Sequence, residues 1–341
     1  MATRAGSGES AVPLARSDGA AARPLISVVS PVYLAEDLVD DLVEQIKSAT
    51  SEITDDFEIV LVDDGSPDDS WDRIEKQCST DPRVKGVQLS RNFGQHYALT
   101  AALATATGDY VVVMDCDLQD HPKYIPELYA EITKGYDLVY TRKRARAHGG
   151  TRNWTGRTYS RLLNRLIADH RLRDHAGIGN YSILTRKVVD SFLEMEDQHR
   201  HYLGLLRWMG FDDSIIEIDH FERAGGSSSY TFRRLFREAM VGITSQTDRL
   251  LRLSIVGGFL FVTIAAITTT ILVVMWATTG FLSGWPSLMA VNLLGIGLIL
   301  SSLGVAGIYI GNIFEQTKAR PLYLVRRELN TGSGHPAADR K

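Results

Sequence analysis

The sequence is poor in cysteine and carries little net charge. Its 341 residues include two cysteines, Cys78 and Cys116, which lie far apart in the chain. Such sparse cysteine use argues against a disulfide framework and is typical of a reducing compartment. The formal net charge is −4, so the composition gives no sign of a nucleic-acid partner.

Several catalytic signatures are also missing. The sequence has no Gly-x-Ser-x-Gly elbow and no phosphate-binding loop that ends in Gly-Lys-Ser/Thr, which argues against a serine hydrolase and a P-loop enzyme. Residues 1–24 lack the apolar core of a signal peptide and are rich in Ala, Gly, Ser and Arg, so they are expected to form a disordered tail.

Charge is absent from one long block of the chain. Residues 253–314 contain no Asp, Glu, Lys or Arg. We expect a two-helix transmembrane anchor here, with spans at 253–276 and 288–311, each of about 24 residues and about 36 Å. Arginine and lysine flank the block on both sides, whereas the turn between the spans has neither. The positive-inside rule then places the catalytic domain and both termini in the cytoplasm, on a multi-pass protein of the cell membrane.

The segments next to this block have their own expected roles. Residues 231–252 begin with apolar positions at helical spacing and arginines on the other faces, which predicts an interfacial amphipathic helix on anionic lipid. A core-facing helix of the soluble part is the alternative. Residues 315–341 are expected to form a cytoplasmic tail. The oligomeric state stays open, although a two-helix anchor would gain from self-association into a homo-oligomer.

Residues 25–230 are expected to form the catalytic domain, an α/β fold. Apolar, β-branched runs at 26–32, 57–62, 84–89, 110–114 and 138–140 alternate with helical patterns at 37–49, 95–107 and 122–134 and a further one that ends near Cys78. This alternation predicts a mostly parallel sheet covered on both faces. Ligands of such sheets bind at the carboxyl ends of the strands.

Acidic residues follow two of these predicted strands directly. Asp115 and Asp117 come after the run 110–114, with Gln119 two residues further on. Paired carboxylates with a neutral oxygen nearby suit Mg²⁺ or Mn²⁺ on a diphosphate, although carboxylates at such positions also serve as turn caps. Asp63 and Asp64 end the run 57–62 in the same way. There one acid is expected to serve the turn while the other faces a ligand.

Basic residues concentrate between positions 142 and 173, where ten Arg or Lys residues occur. A charge run of this kind is most often a solvated helix face. Because guanidinium groups bind phosphate in bidentate fashion and the run adjoins the inferred membrane surface, a lipid phosphate is the alternative partner. RNA binding is the competing use, but no aromatic recognition module accompanies the run.

The ordered motifs resemble those of family-2 glycosyltransferases of the polyprenyl-phosphate type, such as dolichyl-phosphate mannose synthases and bactoprenol glucosyltransferases. The matching segments are Ser30-Pro31-Val32-Tyr33, Val62-Asp63-Asp64-Gly65-Ser66, Ser90-Arg91-Asn92-Phe93-Gly94, the stretch from Met114 to Asp120, and the stretch from Arg223 to Tyr230. The resemblance extends from about position 25 through the uncharged block. It implies a sheet of the nucleotide-diphospho-sugar transferase type (GT-A).

The resemblance also implies roles for individual residues. Asp115, Asp117 and Gln119 would hold the divalent metal, and the two aspartates would be catalytic together with Arg142 and Arg157, which would hold the acceptor phosphate. The donor site would be formed by Pro31, Tyr33, Asp63, Asp64, Arg223 and Ser227. The sequence departs from the family at Tyr33-Leu34-Ala35-Glu36 and at Gly179-Asn180-Tyr181-Ser182. The sugar is therefore not assigned.

The implied activity is the inverting transfer of a hexose from a nucleotide-diphospho-sugar to a polyprenyl phosphate, for cell-envelope glycan assembly. One rival is a processive polysaccharide synthase, which carries Gln-x-x-Arg-Trp where this sequence has Gly204-Leu205-Leu206-Arg207-Trp208. The other rival is a catalytically silent membrane scaffold, which has no need for acids at strand ends.

Overall fold

The fold is described from a computed structural model. It covers residues 24–144, 178–198, 200–219 and 284–332, together with isolated helical positions between 254 and 278. The predicted N-terminal tail, the interfacial helix at 231–252 and three predicted site residues (Arg157, Arg223 and Ser227) lie outside the described residues. So does most of the first predicted membrane span.

The described part of the chain contains an eight-stranded sheet in the order β7-β5-β6-β4-β1-β2-β3-β8. Its strands are β1 (Ile26–Val32), β2 (Phe57–Asp63), β3 (Val84–Leu89), β4 (Tyr110–Val113), β5 (Leu138–Lys143), β6 (Ile178–Thr185), β7 (Asp213–Ile218) and β8 (Val325–Leu329). Pairs β1–β2, β1–β4, β2–β3 and β5–β7 are parallel. The predicted α/β fold with a mostly parallel sheet is confirmed.

Helices cover both faces of this sheet. They are α1 (Val39–Ser51), α2 (Ser70–Thr80), α3 (Gln95–Thr105), α4 (Ile125–Ile132), α5 (Arg186–Glu194) and α6 (Tyr202–Met209). Apolar side chains of α1, α2 and α4 form the core on one face, and those of α3, α5 and α6 form it on the other. Since β1 lies at the centre, all seven of its residues are buried, which explains its nearly continuous apolar sequence.

One buried charge lies within the sheet, away from the acidic strand ends. The Glu58 carboxylate in β2 pairs with Lys85 of β3 at 2.5 Å and accepts hydrogen bonds from Ser27 at 2.6 Å and from the backbone of Thr107 at 2.6 Å. Burial raises the pKa of Glu58, but these hydrogen bonds and the Lys85 charge together hold it below its ordinary value. The cluster therefore stabilises the fold fully when the pH is above the ordinary pKa of a glutamate. This stabilisation is lost as the pH falls through the lowered pKa of Glu58 in the folded protein.

Replacing Glu58 with glutamine is expected to lower the free energy of unfolding by about 3 kcal/mol, because it leaves the Lys85 ammonium buried without a counter-charge. Denaturant unfolding at neutral pH checks this. Asp190→Asn is the matched control, since Asp190 pairs with Arg186 at 3.5 Å through a carboxylate that is 58% exposed. It is expected to cost less than about 1 kcal/mol. Equal losses in the two variants would contradict the buried-pair explanation.

A long apolar helix, α7 (Trp285–Thr317), follows the soluble part. Its section Gly295–Thr317 is long and apolar enough to cross a membrane, with a mean hydropathy of 1.8 and none of it buried against other residues. Within the described residues this is the one such helix, so the second predicted span has a counterpart and the two-helix anchor is not established. The helix is longer than the predicted span 288–311 at both ends. It includes Pro286, which falls in the predicted turn between the spans. Proline is tolerated there because it lies in the first turn of the helix.

Strand β8 lies within the segment 315–341, for which the sequence analysis predicted a cytoplasmic tail and no strand. It pairs antiparallel with β3, with Leu329 opposite Gly86 and Val325 opposite Leu89. Asn330 closes the strand, since its side-chain nitrogen donates to the backbone oxygens of Cys78 at 2.8 Å and Val84 at 2.9 Å. The chain therefore returns from α7 to complete the edge of the sheet.

Candidate active site

The carboxyl ends of the central strands meet at one edge of the sheet. Val32 at the end of β1 lies opposite Asp63 of β2, and Asp63 lies opposite Gln88 of β3. Val29 of β1 pairs with Val113, the last residue of β4. This register brings the two acidic segments, 63–64 and 115–117, to the same edge, as the sequence analysis expected.

Asp63 is buried at the end of β2. One oxygen accepts a hydrogen bond from the Ser66 backbone at 3.0 Å, and the other accepts one from the Gln88 side chain at 3.4 Å. Burial raises the pKa of Asp63 above its ordinary value. A carboxylate has about four acceptor positions, so Asp63 keeps capacity for a ligand.

Asp64 holds a neighbouring loop in place. Its two oxygens accept hydrogen bonds from the backbone of Phe93 at 2.7 Å and Gly94 at 2.8 Å. The loop passes so close that a Cβ at Gly65, where φ is +65°, would lie 2.5 Å from the Arg91 carbonyl carbon. The two motifs at 62–66 and 90–94 are thus parts of one structure, in which Asp63 accepts from the turn at Ser66 and Asp64 accepts from the loop 90–94.

Asp115 follows β4 and lies among like charges. Burial raises the pKa of Asp115 to about 6, and the charges of Asp117 and Asp120 add to the rise. The Gln95 side chain donates to Asp115 Oδ1 at 2.7 Å, and the Gln119 backbone donates to Asp117 Oδ1 at 3.1 Å. The like charges around Asp115 disfavour its ionisation, so this segment gains from a cation.

Tyr33 joins the first strand to this acidic segment. Its backbone N–H donates to the Cys116 thiol, whose pKa burial raises to about 12. The thiol therefore stays protonated and is not a nucleophile. Tyr33 is 44% exposed and Leu34 is 57% exposed, so both residues reach solvent directly after the buried strand β1. Pro31, which was predicted to contact the donor, is buried within β1.

Strand β5 brings basic residues toward the same segment. Lys143 Nζ lies 3.1 Å from Asp120 Oδ1, and Arg142 precedes it, opposite Glu217 of β7. Of the two arginines predicted to hold an acceptor phosphate, Arg142 is in the sheet and Arg157 lies outside the described residues.

The donor set at 115–119 fits a hard divalent cation. Within the described ranges no three His, Cys, Asp or Glu side chains converge as a complete metal cluster. Two carboxylates, however, leave coordination positions for diphosphate oxygens and water, which is how Mg²⁺ is usually held. The raised pKa of Asp115 comes from burial and from neighbouring charges that a bound cation would offset.

Sequence reasoning missed several side chains that shape this site. Gln95 and Asn180 both hydrogen-bond Asp115, and Gln88 contacts Asp63. Gln95 directly follows the segment 90–94 and begins α3, so its position next to a recognised motif was a usable signal. Asn180 lies in the segment 179–182, where the sequence departs from the family, so that departure was also a usable signal. Gln88 carries none, because its role depends on the register of β3.

Comparison with known proteins agrees with this architecture. Residues 27–192 match glycosyl transferase family 2. The chain is 32% identical over 304 residues to the uncharacterized glycosyltransferase YkcC of Bacillus subtilis (strain 168), covering 88% of this chain and 93% of the relative. It is also 32% identical over 314 residues to the undecaprenyl-phosphate 4-deoxy-4-formamido-L-arabinose transferase of Proteus mirabilis (strain HI4320), covering 89% of this chain and 93% of the relative.

Comparison with solved structures gave a weaker match. Mannosyltransferase PcManGT from Pyrobaculum calidifontis, in complex with GDP-Man and Mn²⁺, has a TM-score of 0.47 and 17% identity, with 88% of this chain and 89% of that chain covered.

The mostly parallel sheet, covered by helices on both faces and with acids at its strand ends, defines a GT-A-like class of α/β domain. Within that class, the chain belongs to glycosyl transferase family 2, since relatives above 30% identity span most of its length. It is a glycosyltransferase.

Proposed function

We propose that this protein transfers a sugar, with inversion, from a nucleotide-diphospho-sugar to a polyprenyl phosphate at the cytoplasmic face of the membrane. The observation that carries the proposal is the pair Asp115 and Asp117 at the end of β4, beside the buried Asp63 at the end of β2. A family-2 relative that uses undecaprenyl phosphate supports the acceptor. The apolar helix α7 supports a site next to lipid.

The donor would lie across the carboxyl ends of β1, β2 and β4. Asp63 would accept hydrogen bonds from the nucleoside, and the exposed Tyr33 ring would pack against its base. Asp115 and Asp117, with Gln119, would hold Mg²⁺ or Mn²⁺ on the diphosphate. A bound cation would supply charge stabilisation for the departing nucleoside diphosphate. Arg223 and Ser227 would complete the donor site, as the family resemblance implies.

The acceptor would need little help to become a nucleophile. A phosphate monoester has a second pKa of about 6, so it is already ionised at neutral pH. Its oxygen would form a bond to the anomeric carbon from the face opposite the diphosphate while the bond to the diphosphate oxygen breaks. Arg142 and Arg157 would hold the acceptor phosphate in line, so catalysis would come from positioning and electrostatics rather than from a general base.

Lipid labelling with purified protein tests the proposal. Detergent-solubilised protein, Mg²⁺ or Mn²⁺ and undecaprenyl phosphate are combined with a panel of radiolabelled UDP- and GDP-sugars. We expect one donor to label the lipid phase, Asp117→Ala to abolish the label, and the surface control Asp190→Asn to retain it. Nucleotide binding without lipid product from any donor would contradict the acceptor. If the unaltered protein binds no nucleotide, the result would favour a catalytically silent scaffold.

A further inference from the structure

The segment 316–330, which leads from the end of α7 into β8, contacts a loop of the catalytic domain through one glutamine. Gln316 Oε1 accepts a hydrogen bond from the Gln198 backbone at 2.9 Å, and Gln316 Nε2 donates to the Glu196 backbone oxygen at 2.8 Å. In return the Gln198 side chain donates to the Arg320 backbone oxygen at 3.0 Å. The end of the apolar helix and the loop 196–198 thus hold each other by three reciprocal hydrogen bonds.

The same loop is connected to the acidic site. The Gln198 backbone oxygen accepts a hydrogen bond from the Tyr97 hydroxyl at 2.8 Å. Tyr97 lies in the first turn of α3, two residues after Gln95, whose side chain donates to Asp115 at 2.7 Å. A short chain of hydrogen bonds and one helical turn therefore join the end of α7 to Asp115.

A second contact reaches the other acidic strand end. The Leu324 backbone oxygen accepts a hydrogen bond from the Ser90 backbone at 2.8 Å. Ser90 begins the loop 90–94, which Asp64 holds through Phe93 and Gly94. The segment 316–330 therefore contacts the loops next to both acidic strand ends.

We propose that Gln316 is a positioning residue that fixes the catalytic site relative to the membrane helix and so presents the site to a lipid acceptor. This inference rests on the proposed function, in which the acceptor phosphate lies at the membrane surface. A lipid phosphate is confined to a narrow depth, so transfer requires the site at a matching height and orientation. Loosening the contact lowers the fraction of molecules in the productive arrangement, which raises the apparent KM for the membrane acceptor.

The test compares two acceptors with the full-length protein in lipid vesicles. Gln316→Leu keeps a side chain of similar size but removes the amide oxygen and nitrogen that make the two hydrogen bonds to the loop 196–198. We expect about a tenfold rise in KM for undecaprenyl phosphate in vesicles, with the KM for the donor sugar and transfer to a short, water-soluble prenyl phosphate unchanged. Asn292→Leu is the matched control, because the hydrogen bond of the Asn292 side chain among the described residues goes to Leu288 of its own helix, at 3.0 Å. This variant should behave as the unaltered protein.

Three outcomes would overturn the positioning role. They are an unchanged KM for the vesicle acceptor, an equal loss with both acceptors, and an unchanged rate of hydrogen exchange at the Gln198 amide, which Gln316 Oε1 protects. Absence of lipid product from the unaltered protein would instead contradict the proposed function. The exchange measurement needs no acceptor, so it separates the two failures.

Discussion

Replacing Asp115 with asparagine is expected to lower sugar transfer about a hundredfold to a thousandfold while making the metal-free protein more stable. Asparagine retains the oxygen that accepts from Gln95 but removes a carboxylate from the proposed cation site, and the loss of one electrostatic contact to a transition state is typically of this size. It also removes a charge that burial and two nearby aspartates disfavour. The gain in free energy of unfolding should be about 2 kcal/mol at pH 7.5.

The gain should depend on pH in a defined direction. Because the folded-state pKa of Asp115 lies at about 6, above its ordinary value of 3.8, the folded protein loses stability as the pH rises through this interval. The advantage of Asp115→Asn should therefore be full above the upper value and vanish below the lower one. Thermal unfolding with and without Mn²⁺ gives a readout besides activity, since the cation should raise the Tm of the unaltered protein far more than that of the variant. Equal shifts would contradict a cation at Asp115.

The second large effect is expected at Gly65. Gly65→Ala should lower the free energy of unfolding by about 4 kcal/mol, because the added Cβ meets backbone atoms that cannot rotate away. Those atoms are the Arg91 carbonyl carbon at 2.5 Å and the Asn92 nitrogen at 2.7 Å. The loop 90–94 would have to move, and with it the hydrogen bonds that Asp64 accepts from Phe93 and Gly94. Denaturant unfolding measures the loss.

Gly332→Ala is the matched control for Gly65→Ala. Its φ of +68° is nearly the same as the +65° of Gly65, but a Cβ there would have no atom of the described residues within 4 Å. We therefore expect Gly332→Ala to lower the free energy of unfolding by about 1 kcal/mol, which is the cost of placing alanine in a left-handed conformation without a steric clash. A similar loss in both variants would show that the conformation, rather than the close approach of the loop, makes glycine necessary.

Much of the catalytic domain could be predicted because its strands are buried on both faces. β1 and β3 have the predicted bounds, and β2 and β4 differ by one residue at their ends. Apolar runs of this kind can be recognised as strands from the sequence alone. The same holds for Asp63 and Asp115, since acids that directly follow such runs must lie at the carboxyl edge of the sheet.

The parts that escaped prediction depend on contacts between distant segments. β8 reads Val325-Arg326-Arg327-Glu328-Leu329, a charged sequence that forms a strand only because β3 offers a free edge. The hydrogen bond from Gln95 to Asp115 likewise joins residues of two separate elements. Arg157, Arg223 and Ser227 stay predictions, since they lie outside the described residues.

The position of β8 also has a consequence for biosynthesis. This strand is translated after α7, so the other seven described strands of the sheet and the apolar helix are all synthesised before it. Until then the outer edge of β3 presents unpaired backbone groups, which in a growing chain invite pairing with other strands. Completion of the described sheet therefore waits for the segment that is made after the apolar helix, and a chain that stopped before β8 would leave the edge of β3 open.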